Sequence, residues 1–231
     1  MALVTGRGRL VAIEDVVRKA FEDARASGYE EAFLSEAITN WRECEKSINK
    51  TTTVLVLTSA VAELVLRGAA SELSIAGIKV TQLVVVYSAL PVVIAYLYSS
   101  LMFLCAESSM NQTAFDAVMT VRQPTLWRAN LERLLYPPNM TFIAGDRLRH
   151  GFPRGSKLGK LVDWALGARA ILLIILPIAF ISYMFVRLFD KMGASNVAVW
   201  ISLCLSVILV LVGLVGLAAA ALVWEGQDKS S

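Results

Sequence analysis

The polar residues best placed to do chemistry inside an apolar part of the chain are Thr52, Ser59, Glu63 and Arg67. Their spacing places them on one side of a single helix, because an α-helix turns about 100° per residue. An ionisable group inside a membrane helix is a candidate for lining an ion path. Alternatively, Arg67 pairs with Glu63 four residues earlier and anchors the helix near the membrane surface. Both interpretations of this polar stripe are open.

A second group of candidate contact residues is the basic run from Arg147 to Lys160, which contains no acidic residue. Each basic side chain beside a membrane contributes about 1 kcal/mol toward binding anionic lipid. The glycines of this run could also let the backbone approach a phosphate, although their spacing differs from that of the phosphate-binding loop G-x-x-x-x-G-K-[ST]. The predicted lipid or phosphate contacts are Arg147, Arg149, His150, Arg154, Lys157 and Lys160.

Signals for catalysis and metal binding are weak. His150 is the single histidine, which excludes a metal site with several histidine ligands. An enzyme acting on lipids would have to use Asp146, His150 and Asp163, and no sequence motif marks a nucleophile beside them. We therefore expect no catalytic residue, no bound metal and no cofactor.

The composition is typical of a membrane protein. The 231 residues are 56% hydrophobic and 18% charged, and the mean hydropathy is +0.60. These values lie outside the usual range of soluble domains. The net charge of +3 is too small to suggest a nucleic-acid partner, and we expect none.

Uncharged stretches were compared with the length needed to cross a bilayer. A hydrocarbon layer of about 30 Å requires about 20 helical residues. Four transmembrane helices are predicted, at residues 48–67, 81–106, 164–188 and 196–224. The first is the weakest, because threonines, serines and Glu63 dilute its apolar residues, and a buried or re-entrant helix is its alternative. The predicted fold class is all-α, a polytopic membrane protein with a small helical cytoplasmic domain.

Lysine and arginine positions predict the orientation, because basic residues resist translocation. The connector 107–163 carries eight basic residues, the first of which is Arg122. Only two basic residues lie in or next to each of the short connectors 68–80 and 189–195. The long connector is therefore expected in the cytoplasm, together with residues 1–47 and the tail 225–231. The short connectors lie outside, and the plasma membrane is favoured.

Apolar periodicity predicts helices in the cytoplasmic parts. One amphipathic helix fits residues 13–24, and a second helix from residue 30 is expected to run unbroken into the membrane. The connector 107–163 is predicted to carry amphipathic helices. The first of them would begin at a capping box formed by Thr113 and Asp116.

Small residues recur at near-heptad gaps on the second and fourth predicted spans. Small side chains let two membrane helices approach closely, and van der Waals contact then drives their association. Such faces serve either self-association or packing within one subunit, and pairing of the two faces is the simplest use of both. The predicted helix-packing seam comprises Ser88, Pro91, Ala95 and Ser99 with Ser202, Ser206, Gly213, Gly216 and Ala220.

The sequence shows candidate contact surfaces but only weak signals for catalysis. This combination favours a noncatalytic membrane component over an enzyme. We expect a homo-oligomer or a subunit of a membrane complex whose cytoplasmic helical domain binds a partner or ligand, in contact with anionic lipids. One alternative is an ion channel or transporter with a polar path through Glu63. A membrane-embedded enzyme acting on lipids is a weaker alternative.

Overall fold

The computed structural model describes residues 3–4, 10–11, 19, 30–67, 73–75, 78–80, 83–122, 137 and 157–225. Its four long helices are α1 (Glu30–Leu66), α2 (Leu83–Arg122), α3 (Lys157–Met192) and α4 (Val197–Glu225). Two minimal antiparallel pairings accompany them: β1 (Leu3–Val4) with β2 (Leu10–Val11), and β3 (Leu73–Ile75) with β4 (Ile78–Val80). The described part of the chain is thus helical, as predicted, apart from these short strands.

Each long helix contains a segment that is long and apolar enough to cross a membrane. These segments are Leu34–Leu66, Val86–Asp116, Ile171–Met192 and Val197–Ala220. The first includes the stretch that the sequence marked as the weakest span. Four membrane-crossing helices are therefore confirmed at the level of length and composition.

The first two helices are much longer than a bilayer requires. α1 has 37 residues and α2 has 40. At roughly 1.5 Å per residue they measure about 55 and 60 Å, against a hydrocarbon layer of about 30 Å. α1 runs unbroken from Glu30, as its apolar periodicity predicts.

The capping-box prediction in the connector is wrong. Thr113 lies inside α2, which continues to Arg122, and no helix begins there. Its hydroxyl donates to the carbonyl oxygen of Ser109 at 2.9 Å. The prediction failed because a threonine hydroxyl can bond either to an N–H at a helix start or to the carbonyl four residues earlier within a helix.

The short hairpin follows from the local sequence. Residues 72–80 place β-branched side chains around Ala76 and Gly77, a pattern that predicts a tight turn between two strands. Leu73 pairs with Val80, and Ile75 pairs with Ile78. Apart from residue 19, the predicted amphipathic helix at residues 13–24 lies outside the described residues, as do residues 123–156 apart from residue 137.

The described chain divides into two compact units. The first comprises residues 1–49, 103–170 and 215–231, and the second comprises residues 50–102 and 171–214. In the first unit, α1 and α2 bury a small apolar core made of Trp41, Phe115 and Met119, with Leu34 and Ile38 packed against it. In the second unit, the largest fully buried side chains are Leu66, Ile94, Tyr98, Leu101, Met102, Met184 and Leu188.

A tight turn in the second unit joins α3 to α4. Gly193 has a φ of +75°, which favours glycine, and its N–H donates to the carbonyl oxygen of Phe189 at 3.0 Å. Asn196 then caps α4 by accepting a hydrogen bond from the N–H of Ala198 at 3.0 Å. The rings of Phe189 and Trp200 pack across the turn with centroids 5.3 Å apart. Local turn chemistry therefore fixes this connection.

Candidate functional site

A hydrogen-bonded polar group in the described part of the first unit is centred on Glu45, which is 1% exposed. The indole N–H of Trp41 donates to Oε1 of Glu45 at 3.1 Å, and the hydroxyl of Ser108 donates to the same oxygen. The indole N–H also lies 3.3 Å from the Ser108 oxygen. Trp41, Glu45 and Ser108 thus form a hydrogen-bonded triangle between α1 and α2, which we call the Glu45 triangle.

Helical spacing and apolar packing create this group. Trp41 and Glu45 are four residues apart and therefore lie on the same face of α1. The rings of Trp41 and Phe115 pack with centroids 5.7 Å apart, and Glu45 is buried next to Trp41. A buried polar group is tolerated where it is hydrogen-bonded. The Glu45 triangle therefore links α1 to α2 by hydrogen bonds between buried side chains.

Sequence reasoning missed Glu45. The stretch around it, with Arg42, Glu43 and Lys46, resembles a solvated face, and those three side chains are indeed exposed. The available signal was position: Glu45 lies four residues after Trp41 and three before Ile48, both of which belong to the apolar periodicity of α1. A glutamate on that face has to be buried with a partner.

The predicted polar stripe lies on α1 in the second unit. Nε of Arg67 is 2.6 Å from Oε1 of Glu63, and the hydroxyl of Tyr183 on α3 donates to the same oxygen at 3.4 Å. Arg67 lies one residue beyond the apolar segment of α1, and the hydrogen bond and charge of Glu63 raise the pKa of its guanidinium. This geometry is the one that the anchor-pair interpretation requires.

The rest of the stripe is more dispersed. Oγ1 of Thr52 and Oε2 of Glu63 are buried and have no hydrogen-bond partner among the described residues. Thr52 precedes Glu63 by three helical turns, which is about 16 Å along the axis. Ser59 lies between them and is half-buried. The structure therefore brings Glu63 and Arg67 together and leaves Thr52 at a distance.

Cationic side chains gather where α1 and α3 end in the second unit. The guanidinium carbon of Arg187 lies 6.0 Å from the ring centroid of Tyr183, and Nζ of Lys191 lies 4.9 Å from that of Tyr87. Lys191 also donates to the carbonyl oxygen of Leu66, at the end of α1 where carbonyls lack helical donors. From the sequence, Arg187 and Lys191 contributed only to the predicted orientation of the helices in the membrane.

Part of the helix-packing seam forms a close contact in the second unit. A Cβ atom on Gly213 would lie 2.8 Å from Cα of Ser99, so the backbones of α2 and α4 nearly touch there. The hydroxyl of Ser202 donates to the carbonyl oxygen of Ser88 at 2.5 Å. This carbonyl lies three residues before Pro91, whose missing N–H weakens the helical hydrogen bonding nearby. The two predicted faces thus meet within one chain.

The remaining seam residues are also buried or closely packed. Ala95, Ser99, Ser206 and Ala220 are buried, as is Pro91. In the first unit, a Cβ atom on Gly216 would lie 2.6 Å from Cε1 of Phe103. The seam is therefore occupied by contacts within the chain.

The basic run is only partly described. Lys157 and Lys160 are exposed at the start of α3. Arg147, Arg149, His150 and Arg154 lie outside the described residues, and their lipid contact stays a prediction. In the described ranges, no group of three or more His, Cys, Asp or Glu side chains could hold a metal ion.

The described chain has four apolar helices that are long enough to cross a membrane, and they pack through small residues and buried hydrogen bonds. These features are typical of a helical integral membrane protein. Comparisons with known proteins give no closer relationship. No family model matches the chain, and no match was found among curated proteins or among solved structures.

Proposed function

We propose that this protein is a noncatalytic multipass membrane component, either a homo-oligomer or a subunit of a larger complex. Its cytoplasmic helical domain, residues 1–47 and 107–163, binds a partner or ligand. The observation that carries the proposal is that α1 and α2 each extend about 25 to 30 Å beyond the length a bilayer requires.

The extension has its own packed interior, which supports a role outside the bilayer. The core around Trp41 and Phe115 and the Glu45 triangle belong to the first unit. Buried polar groups between helices are best known for specifying register. A helix pair held in one register presents its outer face in a constant geometry, which lowers the entropy lost when a partner binds.

The outer face of α1 carries charges of both signs. Glu36, Arg42, Glu43 and Lys46 are exposed, and Lys46 pairs with Glu43 at 2.5 Å. Mixed charges at a protein interface favour specific orientation and fast association. We propose this face as the contact for the partner, with Lys157, Lys160 and the rest of the basic run contacting anionic lipid of the plasma membrane.

The test is the mass of the full-length complex, purified in mild detergent. We expect several copies of the 25.2 kDa chain, or the chain with a second protein at fixed stoichiometry. The variant Arg42→Glu/Lys46→Glu should weaken that assembly about tenfold, because it reverses two contact charges. Its control, Arg42→Lys/Lys46→Arg, keeps both charges and should assemble normally. A bare 25.2 kDa monomer in detergent and in nanodiscs would contradict the proposal.

A channel or transporter is the second candidate, and the buried oxygens of Thr52 and Glu63 favour it. Lining an ion path would explain polar atoms that lack partners among the described residues. A conductance in liposomes that is lost in Glu63→Ala and kept in Glu43→Ala would rank this function above the proposed one.

A further inference from the structure

We propose that Arg67, Arg187 and Lys191 bind the phosphate of an anionic lipid headgroup where α1 and α3 end in the second unit. We call these three residues the cationic cluster. The site differs from the basic run at residues 147–160 and does not depend on the proposed partner.

One face of α3 carries most of the site. Tyr183, Arg187 and Lys191 follow one another at four-residue intervals, so that they lie along one face of the helix. Tyr183 contacts Glu63 of α1, and Lys191 contacts the carbonyl oxygen of Leu66. Arg187 is therefore held between two points at which α3 touches α1.

The cluster lies at the level expected for lipid headgroups. Arg67 directly follows the apolar segment that ends at Leu66, and Lys191 lies one residue before the end of the segment Ile171–Met192. Trp200 supplies an amphipathic ring nearby in the chain, and its indole N–H donates to the carbonyl oxygen of Ala194 at 2.8 Å. Tyrosine and tryptophan typically mark the membrane interface, where phosphates are found.

Arg187 gives the most direct sign of an acceptor. Its Nε is buried and has no hydrogen-bond partner in the described ranges, although a buried donor without an acceptor is unfavourable. A phosphate accepts paired hydrogen bonds from a guanidinium. Lys191 has three N–H donors, of which the carbonyl of Leu66 takes one. Arg187 and Lys191 lie one helical turn apart on α3, and each has donors left for a phosphate.

The charges at this end favour an anion. Glu63 is paired with Arg67, and the exposed Asp190 is the other acid on these helix ends. Three cations outnumber two acids, so a net positive charge remains. This net positive charge attracts the phosphate of an anionic headgroup.

Apolar surface beside the cluster favours a lipid over free phosphate. Leu64 on α1 and Val186 on α3 are 54% and 60% exposed. Each is adjacent in sequence to residues that contact or form the cluster, and each can contact acyl chains. Free phosphate has no apolar part that could contact these side chains.

The experiment measures lipid retained by the full-length protein in native mass spectrometry, after incubation with equal phosphatidylglycerol and phosphatidylcholine. We expect wild type to retain phosphatidylglycerol preferentially. Arg187→Gln/Lys191→Gln should lower that retention about tenfold, because it removes two cations. The control Lys19→Gln/Lys50→Gln makes the same charge change at exposed lysines elsewhere and should behave as wild type.

A second measurement separates lipid from free phosphate. Phosphatidylglycerol should raise the Tm of wild type, whereas inorganic phosphate or glycerol 1-phosphate at the same concentration should not. Stabilisation by the soluble phosphates without a preference for phosphatidylglycerol would overturn the lipid assignment. A folded double variant that retains phosphatidylglycerol as wild type does would overturn the site.

A variant that fails to fold does not block the test. The charge-conserving Lys191→Arg should then keep the lipid preference, because it retains both cations and the guanidinium of Arg187. If that variant folds but loses the lipid preference, the preference depends on packing and not on charge, and the proposal is overturned. A wild-type protein without a preference for phosphatidylglycerol would overturn it as well.

Discussion

Gly213→Leu is expected to lower the Tm of the detergent-solubilised protein by about 2 to 12 °C. A Cβ atom at this position would lie 2.8 Å from Cα of Ser99, and a backbone atom cannot move aside as a side chain can. Forcing extra atoms into a packed interface costs about 1 to 3 kcal/mol, and each kcal/mol shifts Tm by about 2 to 4 °C at this chain length. Thermal unfolding followed by tryptophan fluorescence measures the change.

Two other substitutions on α4 serve as comparisons. Gly216→Leu should be milder, because its new side chain meets the ring of Phe103, which is 48% exposed and free to turn. Ala219→Leu adds three carbon atoms at an exposed position and should leave Tm nearly unchanged. Equal Tm values for wild type and Gly213→Leu would show that α2 and α4 do not approach closely at this point.

Glu45→Ala is expected to destabilise the extended part of α1 and α2. The indole N–H of Trp41 and the hydroxyl of Ser108 would both lose the oxygen that accepts their hydrogen bonds. Leaving buried donors unpaired costs about 1 to 3 kcal/mol. The 3.3 Å contact between Trp41 and Ser108 can recover part of that loss. Hydrogen exchange should show faster opening of residues 36–47, alongside a lower Tm.

Matched variants separate the buried contact from a general charge effect. Glu45→Gln keeps an acceptor oxygen in place and should lie close to wild type. Glu43→Ala removes the same charge from an exposed pair with Lys46, and exposed pairs contribute less than about 1 kcal/mol. Identical exchange rates in Glu45→Ala and Glu43→Ala would contradict the role given to the Glu45 triangle.

The helices were largely predictable because their signal is local. Long uncharged runs mark the parts of α2, α3 and α4 that are long and apolar enough to cross a membrane, and the apolar periodicity from residue 30 predicts that α1 is continuous. Small residues at near-heptad gaps also identified the face on which Gly213 meets Ser99. Length and side-chain size suffice for such inferences.

Features that depend on a partner helix were not predictable. The position of Glu45 on the apolar face of α1 indicates burial, but its partner Ser108 is 63 residues away, and no local pattern specifies that pairing. The cation–π contact of Lys191 requires Tyr87 on another helix. At Thr113 two local hydrogen-bonding options compete, and the surrounding helix decides between them.

Single-cysteine labelling in sealed membrane vesicles tests the central claim, that four helices cross the membrane with the extended helix ends on one side. In a background with Cys44, Cys105 and Cys204 replaced by alanine, cysteines are placed one at a time at positions 30, 160 and 195. A membrane-impermeant maleimide should reach positions 30 and 160 from the cytoplasmic side and position 195 from the other side. Labelling of positions 30 and 160 from opposite sides, or of all three from one side, would contradict the account.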